Sequence, residues 1–142
     1  TDGAGAGEYR GGSGAVRVYR SMNENQTFTA SFGRNKWPVW GAAGGKDGSV
    51  NYFQFIDADG TVSEPMGIAA RRVMNTNDVV RMVTATGGGY GNPFKRPAEK
   101  VAMDVKNEYI TVEQAKADYG VLVDPETFKV LGLTEERQKA EK

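Results

Sequence analysis

The chain has 142 residues, a length that suits one domain, with 18 basic and 18 acidic side chains and neither cysteine nor histidine. Disulfides, zinc fingers and every Ser-His or Cys-His triad are thereby excluded, and zero net charge gives no pull toward nucleic acid or an anionic membrane. No apolar run is long enough for a membrane helix, no signal-peptide pattern opens the sequence, and absent cysteine suits the cytoplasm.

Residues 1–13 read as loop. Ala15 to Arg20 alternates small or apolar with polar residues, the pattern of a half-buried strand, and Thr27 to Phe32 alternates again beyond a turn at Asn23-Glu24-Asn25. A hairpin between these two strands is expected. Residues 33–49 form a glycine-rich loop carrying Trp37 and Trp40. Strands follow at Val50 to Ile56, at Thr61 to Ser63 beyond an Asp59-Gly60 turn, and at Ile68 to Met74. Asn77-Asp78 is a turn before Val79 to Thr84, the clearest strand. Pro97 then opens a helix over Ala98 to Lys106, with Val101 and Val105 on one face. Thr111 and Gln114 match a capping box, and Gly120 suits a left-handed helix end. Val121 to Val123 and Phe128 to Val130 flank an Asp124-Pro125 turn, and Thr134 to Lys142 is a charged, frayed helical tail.

The fold class expected is mainly β, a small antiparallel barrel or sandwich with two short C-terminal helices. Residues 1–95 form the glycine-rich β part, and 96–142 a helical appendix of the same domain. Its core is thin. Fifteen valines stand against three leucines and three isoleucines, so burial depends on other surfaces and a partner is expected.

Glycine supplies 19 residues, and eleven of them fall within residues 1–48. None completes a nucleotide fingerprint. Gly3-Ala4-Gly5-Ala6-Gly7 has Glu8 and no third glycine at the required spacing, and Gly12-Ser13-Gly14 has Arg17 where glycine is needed. Gly87-Gly88-Gly89-Tyr90-Gly91 follows a strand but lacks the Lys-Ser/Thr pair and the immediate helix of a phosphate loop. A turn where backbone meets backbone is the better reading. Asp57-Ala58-Asp59-Gly60 begins like a calcium loop but reaches Ile68 where a glutamate is required. Thr1 is a candidate N-terminal nucleophile without an identifiable supporting base, so numbering from an internal residue explains it more simply. The chemically richest residues are Arg10, Trp37, Trp40, Lys46 and Tyr90. Arg and Trp anchor interfaces, glycine admits a close partner backbone, and Lys46 is placed to reach an anion. The plainer reading of the tryptophans is cover for one end of a thin barrel.

Tyr9-Arg10-Gly11-Gly12-Ser13-Gly14 with Arg17 and Tyr19 resembles a segment of the hydantoinase B family. Trp37-Pro38-Val39-Trp40-Gly41 with Gly44-Gly45-Lys46-Asp47-Gly48 resembles the next segment of that family, and Asp78 to Arg81 with Gly87 to Pro93 the one after. Val101, Asp104-Val105 and Tyr119-Gly120-Val121 resemble its C-terminal helices and strand. Thr86 departs from the family's more usual glycine. Each motif is weak alone, but their order along the chain is specific. The resemblance covers only the C-terminal part of the family. It implies a small structural subunit or C-terminal domain of an ATP-dependent, biotin-independent ketone carboxylase of the acetone or acetophenone carboxylase type. The alternative is an ATP-dependent hydantoinase or 5-oxoprolinase that opens cyclic amides. The resemblance implies hydantoinase A-type and B-type large subunits as partners, with ATP and a divalent metal held there. It assigns this chain no cofactor, metal or catalytic residue, and no nucleic-acid or membrane partner. A stand-alone β-barrel module binding a small ligand through Trp37, Trp40 and Tyr90 is the remaining reading.

Overall fold

The computed structural model describes residues 4–140. Contacts group the chain into two compact units. One takes Gly14–Pro38 and Val50–Ala85; the other takes residues up to Ser13, Val39–Ser49 and Thr86 onward. Three glycine-rich segments therefore group with the helices. Thr1 lies outside the described residues.

The first unit holds five strands, β1 (Val16–Arg20), β2 (Gln26–Ser31), β3 (Tyr52–Ile56), β4 (Ile68–Met74) and β5 (Val79–Val83). β5 is the centre of an antiparallel sheet with β1 on one side and β3 on the other. Successive side chains of a strand point to opposite faces, so Val80 and Met82 of β5 share a face with Phe55 and Phe53 of β3. That face is the core. Phe53 and Val80 are almost wholly buried, with Phe55, Ala69 and Met74 around them. Phe28 of β2 meets Phe53 and Phe55 edge-on, with ring centroids 5.8 and 5.5 Å apart. Edge-on contact sets the positive rim of one ring against the negative face of the other.

β1 and β2 do not form the expected hairpin. β2 pairs with β4, and β1 with β5. β2 instead brings Phe28 against Phe53 and Phe55, and Ser21 continues the β1–β5 pairing: its N–H donates to the Asp78 carbonyl at 2.8 Å and its own carbonyl accepts from the Asn77 N–H. These two bonds extend the β1–β5 ladder by one residue, to just before the Asn23-Glu24-Asn25 turn. The β2–β4 ladder carries a bulge: Phe28 faces Arg72 and Ala30 faces Ala69, which leaves an extra residue on β4. Arg71 takes the left-handed conformation there (φ 52°), and its N–H donates to Thr29 Oγ1. The strand expected at Thr61 to Ser63 reduces to one bridge, Ile56 to Val62, beyond a turn closed by Gly60 at φ 89°.

The second unit carries a 3-10 turn at Pro93–Lys95, helices α1 (Ala98–Lys106) and α2 (Val112–Tyr119), the short antiparallel pair β6 (Val121–Val123) and β7 (Val130–Leu133), and α3 (Glu135–Ala140). Thr111 and Gln114 form the reciprocal capping box at the start of α2, and Gly120 ends it at φ 62°. Only a residue that tolerates positive φ closes a helix this way. Val101 and Val105 of α1 pack with Ala115 and Tyr119 of α2 and with Val121 and Val123 into a second core. The chain is thus mostly antiparallel β with short helices toward its C-terminal end, and its scarce apolar residues are divided between two small cores.

Phe53→Ala should lower the stability of the folded chain by about 3 to 5 kcal/mol, because it empties the centre of the first core. Trp37→Ala, at a residue 79% exposed, should change it by less than about 0.5 kcal/mol. Chemical denaturation followed by circular dichroism measures both.

Candidate functional site

The second unit is organised by three extended segments, residues 4–13, 39–49 and 86–92, which bond to one another through their backbones. The Gly5 N–H donates to Gly87 O, and the Gly87 N–H to Gly12 O. The Lys46 N–H donates to Ala6 O at 2.7 Å. The Ala42 N–H donates to Gly89 O, the Gly89 N–H to Lys46 O and the Gly91 N–H to Ala42 O. Every segment bonds to both of the others, so the three close a triangle rather than lie in a flat sheet. Such closeness leaves no room for side chains between them. A Cβ at Gly5, Gly11, Gly45, Gly88 or Gly89 would stand within 3 Å of a neighbouring backbone carbonyl. Gly5, Gly11 and Gly14 are six and three residues apart, and Gly45 and Gly48 are three apart, the period of a polyproline-type turn.

This arrangement decides the Gly87–Gly91 question. The amides of Gly87, Gly89, Tyr90 and Gly91 all donate to carbonyls of the other two segments. They are spent on the scaffold, whereas a phosphate loop must hold its amides free. Thr86 is buried and serves a purpose of its own. Its hydroxyl accepts from the Ser49 N–H, and the Ser49 hydroxyl accepts from the Thr86 N–H, both at 2.9 Å.

The five residues singled out from the sequence go to different places. Arg10 turns into its own unit. Its guanidinium lies 4.6 Å from the centre of the Tyr109 ring and 3.7 Å from Asp104. Arg96 joins it, bonding Asp104 at 2.9 Å and the Glu8 carbonyl at 3.0 Å. Arg137 of α3 donates to the carbonyls of Tyr119 and Arg96. Arg10 and Arg96 tie the first glycine segment to α1 through one largely buried carboxylate, and Arg137 ties α3 to them through the carbonyls of Tyr119 and Arg96. Burial pushes the Tyr119 phenol up, so it stays neutral, and its hydroxyl sits buried without a partner among the described residues. Lys46 reaches Asp118 at 2.6 Å, an ion pair partly open to water and of small energetic weight. Tyr90 stands outward beside Tyr9, their ring centroids 6.3 Å apart, and the two are 58% and 65% exposed. Trp40 is 70% exposed. Trp37, in the first unit, is exposed as well. The Asp104 cluster was missed from the sequence. Its three arginines stand far apart along the chain, and only the acidic residue on the apolar side of α1 hinted at a buried ion pair.

Each unit also has an open groove. The first unit's, about 620 Å³, runs past Tyr19, Ser21, Phe28, Ala30, Met74 and Met82. The second's, about 420 Å³, lies between α1 and residues 127–130. Neither is lined by a pair of carboxylates. Among the described residues no three Asp or Glu side chains come together to hold a metal ion.

Gly45→Ala should abolish the folded second unit, whereas Gly12→Ala, with open space where its Cβ would go, should leave it intact. Asp104→Asn should cost about 3 to 5 kcal/mol by leaving buried guanidiniums without their countercharge. Soluble yield and denaturation midpoints compare the three.

The geometry agrees with known proteins. The profile described as Hydantoinase B/oxoprolinase matches residues 1–93. An uncharacterized protein of Methanocaldococcus jannaschii is 33% identical over 122 residues, 86% of this chain and 21% of the relative. A protein assigned as the B-type subunit of a D-/L-hydantoinase, from Pseudomonas sp. strain NS671, is 32% identical, over 82% of this chain and 20% of its own length. The beta subunit of the Pseudomonas jessenii caprolactamase is 31% identical, over 87% and 22%. The crystal structure of the ATP-dependent caprolactamase from Pseudomonas jessenii superposes on 99% of this chain and 24% of its own, with a TM-score of 0.72 and 30% identity. Nucleotide-free acetone carboxylase gives 0.71 over 99% and 23%; at 18% identity it shares the fold alone. The chain spans about a fifth of the length of the curated relatives it matches. It belongs to the Hydantoinase B/oxoprolinase family.

Proposed function

We propose that the chain is a structural part of an ATP-dependent assembly, completing a hydantoinase B-type subunit rather than carrying the reacting groups. One observation carries this reading: the glycine loops, the most distinctive part of the sequence, turn their amides and carbonyls to one another. A scaffold built this way positions surfaces and commits the amides of Gly87, Gly89, Tyr90 and Gly91 to internal bonds. Trp40, Tyr9 and Tyr90 stand exposed on it, and Trp37 on the first unit, residues of the kind that anchor interfaces. Two small cores with large exposed aromatics suit a chain that gains burial from a partner.

The partners in this reading are hydantoinase A-type and B-type large subunits in the cytoplasm, with ATP and its divalent metal in the A-type subunit. Opening of a cyclic amide is the favoured reaction. The relatives above 30% identity whose names state a substrate class are a hydantoinase subunit and a caprolactamase subunit. Ketone carboxylation of the acetone or acetophenone type is the second reading, supported by the fold shared with acetone carboxylase.

Reconstitution with the large subunits separates the readings. ATP hydrolysis should rise with caprolactam or a hydantoin and need no bicarbonate. Omitting this chain should lower that rate by at least about tenfold through loss of the assembled enzyme. ATP use that requires both a ketone and bicarbonate would establish the second reading. A stable monomer that never joins the large subunits would overturn both.

A further inference from the structure

The sheet of the first unit is apolar on both faces. Its inner face holds the phenylalanine core. Its outer face is read from register: Val16, Val18 and Arg20 of β1 lie beside Val83, Arg81 and Val79 of β5, which lie beside Tyr52, Gln54 and Ile56 of β3. Six of these nine side chains are apolar, and none is acidic. Val16 and Val18 are 56% and 61% exposed. A solvated antiparallel sheet alternates apolar inward with polar outward, and this one does not.

The edge of β1 adds a second, independent observation. Within an antiparallel pair, residues alternate between those that bond the neighbouring strand and those whose N–H and C=O point away from it. The Thr84 N–H donates to Ala15 O, and the Ser21 N–H to Asp78 O. Ala15 and Ser21 are therefore bonded positions, and so by alternation are Arg17 and Tyr19. Val16, Val18 and Arg20 turn their N–H and C=O groups to the open side, where no other described strand lies. The same three residues thus present unpaired backbone at the edge and their side chains on the outer face. β1 has neither proline nor bulge to guard its free edge, and its charged side chains, Arg17 and Arg20, are both basic.

We propose that an extended segment of the hydantoinase B-type body pairs with β1 and continues this sheet, with apolar residues beside Val16 and Val18 and a carboxylate beside Arg20 and Arg81. The proposal rests on the assembly reading above and names the surface used. Two facts point to the body rather than to a second copy. The matched relatives hold this fold as about a fifth to a quarter of a longer chain, so roughly three to four times as much polypeptide is available to cover the edge. Pairing of β1 with its own copy would join two outer faces whose charged groups are all arginines, Arg20 and Arg81 from each, with no acid to offset them. Strand addition draws affinity from main-chain hydrogen bonds and specificity from alternate side chains, and Val16, Val18 and Arg20 supply both.

Hydrogen exchange on the assembled protein tests the proposal residue by residue. The amides of Val16, Val18 and Arg20 should be protected to within about tenfold of those of Arg17 and Tyr19, which bond β5 in any case. In the assembly, Val18→Pro removes an outward N–H without breaking a bond to β5, and should lower co-purification with the body at least about tenfold. Val18→Glu, which keeps the N–H and charges the outer face, should do the same. Circular dichroism confirms that each variant is folded. Formation of the assembly with Val16, Val18 and Arg20 still in fast exchange would overturn the proposal and leave the assembly reading standing. Protection that depends on the chain's own concentration and not on the body would assign the edge to a second copy and overturn it too. Failure of the wild-type chain to bind the body at all would instead overturn the assembly reading.

Discussion

Three backbones lying too close for side chains between them set the terms for the second unit. Each of the segments 4–13, 39–49 and 86–92 bonds to both of the others, and carbonyls stand where a Cβ would otherwise go. The consequence is energetic as well as geometric. Glycine surrenders more backbone freedom than any other residue on folding. That cost is offset by the direct hydrogen bonds the segments make to one another. It also explains the thin side-chain core, since the volume that leucine or isoleucine would fill is occupied here by main chain.

The helices and the arginine cluster lock this bundle from one side. Asp104 sits on the buried side of α1 and draws in Arg96 and Arg10, while Arg137 on α3 caps the Tyr119 carbonyl and reaches Arg96. Buried charge is retained only where it is paired and hydrogen-bonded. Arg96 meets that condition, while Arg10 turns inward onto the Tyr109 ring with its Nε buried and unbonded among the described residues, and Trp40, Tyr9 and Tyr90 face outward. The groups that attract chemical attention in the sequence therefore divide into an internal clamp and an outward aromatic surface.

A part specialised in this way is informative about the whole to which it belongs. A family with ATP-dependent relatives places this fold in about a fifth of a longer polypeptide. Most of the Gly87–Gly91 amides are committed to internal bonds, so the glycine loops serve backbone fit. The first unit has a sheet with apolar residues on both faces: one is filled by its own phenylalanines, and the other exposes Val16 and Val18.

Much of this was legible along the chain. The α1 span, the capping box of Thr111 and Gln114, the left-handed Gly120 and strands β4 and β5 follow from local rules that act within a turn or two, so sequence alone determined them. The ordered glycine and tryptophan motifs likewise identified the family. Long-range pairing was decided only in three dimensions. β1 passes over its nearest neighbour to join β5, and Ser21 bonds Asp78 across 57 residues of sequence that carry no local mark of it. The meeting of Arg10, Arg96 and Arg137 around Asp104 and Tyr119 has the same origin. So does the purpose of the glycines. Composition showed that side chains were missing, and only the fold showed that another stretch of backbone stands in their place.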